Sequence, residues 1–234
     1  MKKWVLAFSA LVLALALAVP GMAQDEGVIV QSACSIVRSG EYYLVYCFAQ
    51  VHNNSDSIIC LDEGGSFDLH SGEQILSTSQ VSRLWPYFIN PGEDGYLFDI
   101  VPFEPNENGV VVPSVTGISY NLKYMTIPQA HGGYALDAIS SLEYDAAGDL
   151  IVTCELINPT QMDAYDPAMA FGLYTQEGSM IYADGVTLQD VGVKAGGSVL
   201  LRFRVEDVFV EQWKAYGAQP AQVRVNAMFR MDED

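Results

Sequence analysis

Three histidines are the first candidates for catalysis or metal binding in this sequence: His52, His70 and His131. An imidazole binds zinc or acts as a general base only where the fold brings it to further ligands or to a nucleophile. The three residues fall at a predicted strand end, within a predicted strand and in a predicted linker, and their spacing does not require them to converge. No nucleophile-elbow motif marks a catalytic serine. The sequence therefore predicts no catalytic triad, no metal site and no cofactor.

Adjacent acidic residues are the second candidates, because a pair of carboxylates can hydrolyse a glycosidic bond. The pairs are Asp62-Glu63, Glu93-Asp94 and Glu206-Asp207. All lie in or beside predicted loops, but the chain has 29 Asp and Glu residues, so adjacent acids are expected from composition alone. We predict a protein that is not an enzyme, and an extracellular glycan or peptide hydrolase is the alternative.

Four cysteines are distributed unevenly, with Cys34, Cys47 and Cys60 close together and Cys154 far along the chain. A turn centred on Gly40-Glu41 would place Cys34 directly opposite Cys47 on neighbouring strands, within bonding range, so these two form a possible disulfide. Pairing of Cys47 with Cys60, and free thiols, are open alternatives. Cys154 is interpreted as a small buried apolar residue, since no partner is evident.

The aromatic residues Trp85, Tyr87 and Phe88 form the strongest candidate for a binding site. Aromatic side chains on a loop can stack on sugars or anchor a partner protein, because each offers a large rigid face. The alternative is that they pack in the core beneath the Pro91-Gly92 turn. Residues 188–193, which correspond to this segment in an internal repeat, contain no aromatic side chain. This contrast favours the binding interpretation.

Two halves of the chain resemble each other at a shift of about 105 residues. Residues 49–53 lie over 154–158, 67–71 over 171–175, 90–93 over 194–197, 119–124 over 224–229, and Phe98 over Phe203. Chance matches would not stay collinear over roughly 95 positions, and the matched positions are turn residues and alternate apolar residues. We predict two domains, 27–127 and 134–234, joined by a linker at 128–133.

Within each half, apolar residues recur with the period of two that is typical of β-strands. Residues 43–52 and 150–157 alternate in this way, and both patterns place a cysteine, Cys47 or Cys154, on the face that points inward. Further strands are predicted at about 65–71, 74–84, 95–102 and 115–126, and near 168–174, 178–188, 197–205 and 221–231. Short strands with turns at regular spacing predict two tandem antiparallel β-sandwiches, an all-β fold.

One segment departs from this pattern. Phe209, Trp213 and Tyr216 share a helical face, and Gly217 follows them, which predicts a short helix in the second half. The corresponding loop of the first half, 103–109, contains proline and asparagine and is not expected to be helical.

The segment 171–174, Phe-Gly-Leu-Tyr, matches the F-x-L-Y part of the signature of the FxLYD domain, and Thr175 stands where that signature has Asp. The first half keeps Phe67 and Leu69 but has His70-Ser71 at the last two positions. An asparagine before the signature and a Pro-Gly-Glu turn after it follow the same order. The chain therefore resembles the FxLYD family over most of each half. The resemblance implies an immunoglobulin-like sandwich of an exported bacterial protein, without assigned catalytic residues.

Residues 1–23 have the pattern of a secretory signal peptide. Lys2-Lys3 precede an apolar run from Trp4 to Val19, and small residues then lead to a cleavage position after Ala23. The run is at or below the length of a membrane span, and Pro20-Gly21 interrupts a helix directly after it. We expect the segment to be removed, no membrane insertion afterwards, and a location outside the cell or on its surface.

The acidic composition limits the classes of partner. The chain has 11 basic residues and a net charge of −18, which becomes −20 without Lys2 and Lys3. Such a surface repels phosphate backbones and anionic lipids, so nucleic-acid binding is disfavoured. We predict an exported, non-enzymatic binding or interaction module whose partner is a protein or a glycan. A structural spacer in a surface assembly is the alternative.

Overall fold

The computed structural model describes residues 27–62, 64–104, 113–128 and 133–230. Several sequence predictions fall outside these ranges. They concern the signal peptide at 1–23, Glu63, most of the loop at 103–109, linker residues 129–132 with His131, and the final residues 231–234.

Most of the described chain is extended. Up to residue 128 the strands are β1 (Gly27–Ser39), β2 (Tyr42–Asn53), β3 (Ile58–Leu61), β4 (Ser66–Ser71), β5 (Gln74–Gln80), β6 (Leu84–Trp85), β7 (Phe88–Ile89), β8 (Asp94–Phe103), β9 (Gly117–Asn121) and β10 (Tyr124–Ile127). After residue 132 they are β11 (Gly133–Ala135), β12 (Asp137–Tyr144), β13 (Leu150–Ile157), β14 (Ala164–Tyr174), β15 (Met180–Thr187), β16 (Gly192–Val193), β17 (Ser198–Arg204) and β18 (Gln222–Arg230), with helix α1 (Asp207–Tyr216) before β18.

The strands form antiparallel sheets that pack face to face. In the first half the sheet β1-β2-β8-β6 packs against the sheets β10-β3-β7 and β5-β4-β9. In the second half β12-β13-β17 packs against β11-β18-β14-β15, with β16 paired to β14. The prediction of an all-β fold with antiparallel sheets is confirmed. The short helix is also confirmed, since α1 ends at Gly217 in the left-handed conformation (φ 71°) and buries Phe209 and Trp213.

Strand pairings recur between the two halves. Phe67 on β4 pairs with Tyr120 on β9. Phe171, which follows Phe67 by 104 residues, pairs on β14 with Val225, which follows Tyr120 by 105 residues. The pairings β3–β7, β4–β5 and β2–β8 recur in the same manner as β14–β16, β14–β15 and β13–β17. The long strands β14 and β18 each correspond to two short strands of the first half.

A buried asparagine ends the second strand of the first half. The Asn53 side-chain nitrogen donates hydrogen bonds to the carbonyl oxygens of Ser57 and Ile89, both at 2.8 Å. Its oxygen accepts from the Ser55 amide at 2.9 Å and from the Ser55 hydroxyl at 2.8 Å. The side chain thus ties the loop after β2 to the end of β7. Asn53 is fully buried, so its side chain is part of the turn and is not exposed to solvent.

Asn158 makes the same set of bonds in the second half. Its nitrogen donates to Met162 O at 2.7 Å and Val193 O at 3.0 Å, and its oxygen accepts from the Thr160 amide and hydroxyl. Pro159, which stands between Asn158 and Thr160, leaves the turn unchanged. The turn is therefore a property of the asparagine and of the hydroxyl two residues later.

The alignment of Phe98 with Phe203 is wrong by one residue. Phe98 pairs with Phe48, whereas Phe203 pairs with Val152, which corresponds to Cys47. The structural counterpart of Phe203 is therefore Asp99. A slip of one residue on a strand moves a side chain to the opposite face, and Phe98 indeed stacks on Phe48 while Phe203 packs against Phe171.

Both faces of β2 are buried, although the alternating pattern predicts one buried face. Val45 and Cys47 point into the core of the first half. On the other face, Phe48 and the neighbouring Tyr96 belong to the core that contains Phe171 and Trp213 of the second half. The two halves therefore share a continuous apolar core, in which α1 and β15 lie against the outer face of β1-β2-β8.

The corresponding outer face of the second half has no aromatic residue among those opposed to Glu155 and Thr153, although Ile139 and Leu200 beside Glu155 are exposed and apolar. Thr153, Glu155 and Arg202 stand where the first half has Phe48, Gln50 and Phe98. The contact between the halves is therefore not reciprocal. The second half lacks the aromatic outer face on which a further copy of this domain would pack.

Candidate functional site

The segment that carries Trp85, Tyr87 and Phe88 borders a groove of about 490 Å³. The groove is lined by Cys60, Leu61, Ser82, Arg83, Leu84, Trp85, Tyr87 and Phe88. It lies between β6, which pairs with β8, and β7, which pairs with β3. Two short strands that belong to different sheets thus hold the aromatic segment at the rim of the sandwich.

The structure separates the three predicted binding residues. Tyr87 is 49% exposed, and its ring centroid lies 4.7 Å from that of Trp85 at an angle of 47°. Trp85 is half-buried, because one side of its indole lies on the backbone of Gly185 in the second half. A Cβ atom at position 185 would stand 2.5 Å from Trp85 Cβ and Cγ, so only glycine allows this contact.

Phe88 does not present its ring to solvent. It is 7% exposed and packs in a small core cluster with Ile58, Cys60 and Met228. The prediction of Phe88 as a binding residue is therefore corrected, and its ring supports the floor of the groove. The reason is that Tyr87 lies in the turn between β6 and β7, whereas Phe88 is the first residue of β7 and pairs with Cys60 on β3.

Arg83 gives the groove a positive charge. It is the one charged residue that lines the groove in the described part of the chain. Two partly or wholly buried carboxyls, Asp99 and Asp184, are near enough to feel this charge. Burial raises the pKa of each carboxyl above its ordinary value, while hydrogen bonds and Arg83 oppose the rise. Asp99 accepts hydrogen bonds from both the backbone amide and the hydroxyl of Ser82. These bonds hold the segment between β5 and β6 in place.

The predicted cysteine pair is opposed in register. Cys34 on β1 pairs directly with Cys47 on β2, as the turn at Gly40-Glu41 predicts, and both thiols are free in the structure. Cys60 lies in a different core cluster and pairs with Met125 and Phe88, so its pairing with Cys47 is ruled out. Cys154 is a fully buried core residue, in agreement with its interpretation from the sequence.

The described histidines do not converge. His52 Nδ1 lies 2.8 Å from Asp94 Oδ1, and His70 Nε2 lies 2.7 Å from the hydroxyl of Ser119. No cluster of three or more His, Cys, Asp or Glu side chains able to hold a metal occurs among residues 27–62, 64–104, 113–128 and 133–230.

Members of two acid pairs are engaged by neighbouring side chains, and Glu93 and Asp94 also line a cleft of about 340 Å³ together with Asp137. Glu93 Oε2 accepts from the amides of Asn90 and Asn226. Asp207, beside Glu206 at the start of α1, is paired with Arg204 at 3.0 Å. The Asn226 contact joins the two halves, and the Arg204–Asp207 pair lies at the start of α1.

A polar network that the sequence does not reveal joins the two halves. The Tyr174 hydroxyl lies 2.9 Å from Gln50 Oε1 and 3.1 Å from the Tyr96 hydroxyl, and all three side chains are buried. The Arg224 guanidinium lies 4.2 Å from the centroid of the Tyr174 ring. Gly172 leaves room for Tyr96, since a Cβ atom there would stand 2.6 Å from its ring. The sequence signal for this contact is that β2 is apolar on both faces, because a strand in a single sandwich needs only one apolar face.

No protein-family model matches the chain, and a comparison with curated proteins finds no match. No helix within the described ranges is long and apolar enough to cross a membrane.

Proposed function

We propose that the protein is an exported, non-enzymatic binding module whose partner, a protein or a glycan, docks on the rim of the first half at Tyr87, Trp85 and Arg83. The observation that carries this proposal is the pair of inclined rings beside an open groove. Tyr87 leaves about half of its surface to solvent although an aromatic neighbour lies 4.7 Å away. The resemblance to FxLYD domains supports two immunoglobulin-like copies, in which rim loops are the usual contact surfaces.

Burial of the exposed part of Tyr87 sets the size of the effect. A tyrosine buries 150–250 Å² when fully covered, so the half that faces solvent offers on the order of 100 Å². At about 25 cal/mol per Å² this contributes about 2 kcal/mol to binding, or roughly 30-fold in Kd. A single ring can therefore dominate the affinity of a small contact.

The charge of the groove favours an anionic group on the partner. The chain carries a net charge of −18. Among the described residues that line the groove, however, the one charged residue is the positively charged Arg83. A carboxylate on the partner can accept two hydrogen bonds from a guanidinium. We therefore expect a ligand with an apolar or sugar face for the rings and a carboxylate for Arg83.

A structural spacer is the second candidate, and the shared core of the two halves favours it. Phe48 and Tyr96 of the first half are buried among Phe171, Tyr174 and Trp213 of the second. Such a core opposes motion between the halves, which suits an element that sets a distance within a surface assembly.

The decisive experiment compares two tyrosines of similar exposure. Tyr87→Ala removes the proposed contact, and Tyr42→Ala removes a side chain that is 47% exposed outside the groove. The chain without residues 1–23 is tested for binding to an array of acidic and neutral glycans and to surface proteins of the native host. We expect Tyr87→Ala to weaken binding at least tenfold and Tyr42→Ala to leave it unchanged.

A third variant tests the charge. Arg83→Gln should weaken the same interaction and reduce its dependence on salt, since a charged contact is lost. Equal affinities for Tyr87→Ala and Tyr42→Ala would contradict the proposed site. A chain that binds neither class of partner would favour the spacer.

A further inference from the structure

A row of reactive side chains crosses the first sheet on its inner face. Cys34 on β1 is opposed to Cys47 on β2, and Cys47 is in turn opposed to Asp99 on β8. Residues that are directly opposed on antiparallel strands point to the same side of the sheet. Tyr120 of β9 lies close enough that the charges of Cys47, Asp99 and Cys34 all act on its hydroxyl.

The second half serves as an internal control for this row. The positions that correspond to Cys34, Cys47 and Asp99 are Leu142, Val152 and Phe203, which are opposed in the same order on β12, β13 and β17. Val225 stands at the position of Tyr120. The same sandwich is therefore built with apolar residues at all four positions, so the fold itself does not require two thiols, a carboxyl and a phenol there.

Two polar atoms of the row have no hydrogen-bond partner, although Asp99 Oδ1 accepts from Ser82 and the Cys47 thiol lies 3.7 Å from the carbonyl oxygen of Val45. Asp99 is 6% exposed, and its Oδ2 atom has no hydrogen-bond partner. The Tyr120 hydroxyl is also buried without a partner. A buried polar group without a partner destabilises the folded state, and two such groups beside two opposed thiols point to a chemical role.

We propose that Cys34 and Cys47 are a reversible dithiol–disulfide pair and that Asp99 accepts the proton of the Cys47 thiol when the bond forms. Directly opposed residues on antiparallel strands have Cα atoms about 4.5–5.5 Å apart, within the range that a disulfide spans. Cys34 lies on the edge strand of its sheet and is partly exposed, whereas Cys47 is 1% exposed on the next strand. Cys34 is therefore the thiol that meets an external reagent, and Cys47 resolves the intermediate.

The reaction needs a small-molecule disulfide as oxidant. The Cys34 sulfur attacks one sulfur of the oxidant, which releases one small thiol and leaves a mixed disulfide on Cys34. Cys47 then gives its proton to Asp99 and attacks the Cys34 sulfur, and the second small thiolate leaves and takes up a proton. In total two protein thiols lose two electrons and two protons, and the oxidant becomes two thiols.

Burial makes the pair slow to react in the folded state. It raises the pKa of the Cys34 thiol to about 11 and raises the pKa of the Cys47 thiol further, with the nearby Cys34 and Asp99 adding to the effect. The thiolate is the reactive form, so a base beside Cys47 has most to contribute at the second step. Burial also raises the pKa of Asp99 above its ordinary value, which strengthens this carboxylate as a proton acceptor.

The test follows both steps with oxidised glutathione as the probe. The chain without residues 1–23 is incubated with the probe, quenched with acid, alkylated and analysed by intact mass and peptide mapping. We expect a Cys34–Cys47 bond in the wild type, formed through a transient glutathione adduct on Cys34. Cys47→Ala should accumulate that adduct, and Cys60→Ala and Cys154→Ala should behave as the wild type.

Two variants isolate the contribution of the carboxyl. Asp99→Asn should slow the conversion of the adduct to the disulfide at least tenfold and leave adduct formation unchanged, an effect that lost packing alone would not give. The second variant exchanges the rows through Cys34→Leu, Cys47→Val, Leu142→Cys and Val152→Cys, which places the dithiol beside Phe203. It should form the bond with a second step that is likewise at least tenfold slower.

The proposal is overturned if no Cys34–Cys47 bond forms at equilibrium with the probe, or if Cys60 or Cys154 takes part in the bond instead. The role of Asp99 is overturned if the second step is as fast in the exchanged rows as in the wild type. This outcome does not depend on whether Asp99→Asn folds.

Discussion

Replacement of Asn53 by alanine tests the element that both halves use to end their second strand. The wild-type side chain makes four hydrogen bonds, two as donor to Ser57 and Ile89 and two as acceptor from Ser55. The bond to Ile89 is fully buried and the other three are partly buried. Alanine removes all four and leaves the two carbonyl oxygens without their donor.

The magnitude follows from these four bonds. An intramolecular hydrogen bond contributes about 1 kcal/mol net, and a buried group left without a partner costs more. The Ser55 hydroxyl also lies 3.0 Å from Ser57 O and can compensate in part. We therefore expect Asn53→Ala to lower the free energy of unfolding by about 3 kcal/mol. For a chain of this size that corresponds to roughly 6–12 °C in Tm.

Chemical denaturation followed by tryptophan fluorescence and by circular dichroism measures this change. Asn54→Ala is the matched control, since Asn54 is the neighbouring residue and is exposed, and it should change stability by less than about 0.5 kcal/mol. Asn158→Ala should cost the same as Asn53→Ala, because its bonds are the same. A loss below 1 kcal/mol in either variant, or clearly unequal losses, would refute the interpretation of the asparagine turn as a repeated structural unit.

Three further predictions concern the contact between the halves. Gly185→Ala places a Cβ atom 2.5 Å from Trp85. It should destabilise the protein by about 1–3 kcal/mol and shift the tryptophan emission. Gly117→Ala is the control, since its Cβ atom meets no atom within 4 Å, and it should change neither stability nor emission. Tyr174→Phe removes a buried hydroxyl that bonds across the contact and should cost about 1–2 kcal/mol in denaturation; an unchanged midpoint would contradict it. Because burial raises the pKa of Asp184, the folded state keeps this proton to a higher pH than the unfolded state, and the group costs stability as pH rises above ~4. Asp184→Asn should therefore gain stability relative to the wild type with rising pH, and parallel stability curves would disprove this.

The local elements followed from the sequence because their causes are local. The period of two in residues 150–157 appears in the structure as β13, since alternate side chains enter one core. The helix was visible from Phe209, Trp213 and Gly217, since an apolar face and a left-handed terminal glycine are properties of a single segment. The register of Cys34 and Cys47 followed from one tight turn.

The tertiary structure decided which strands are buried on both faces and which aromatic residues remain in contact with solvent. Phe48 and Tyr96 have the same pattern as residues on an outward face, and only the approach of β14, β15 and α1 buries them. Trp85 is half-buried because Gly185, a residue far along the chain, leaves room for its ring. Strand periodicity states that a side chain lies on one face or the other. Whether a second layer covers that face depends on contacts between distant segments, which no local pattern encodes.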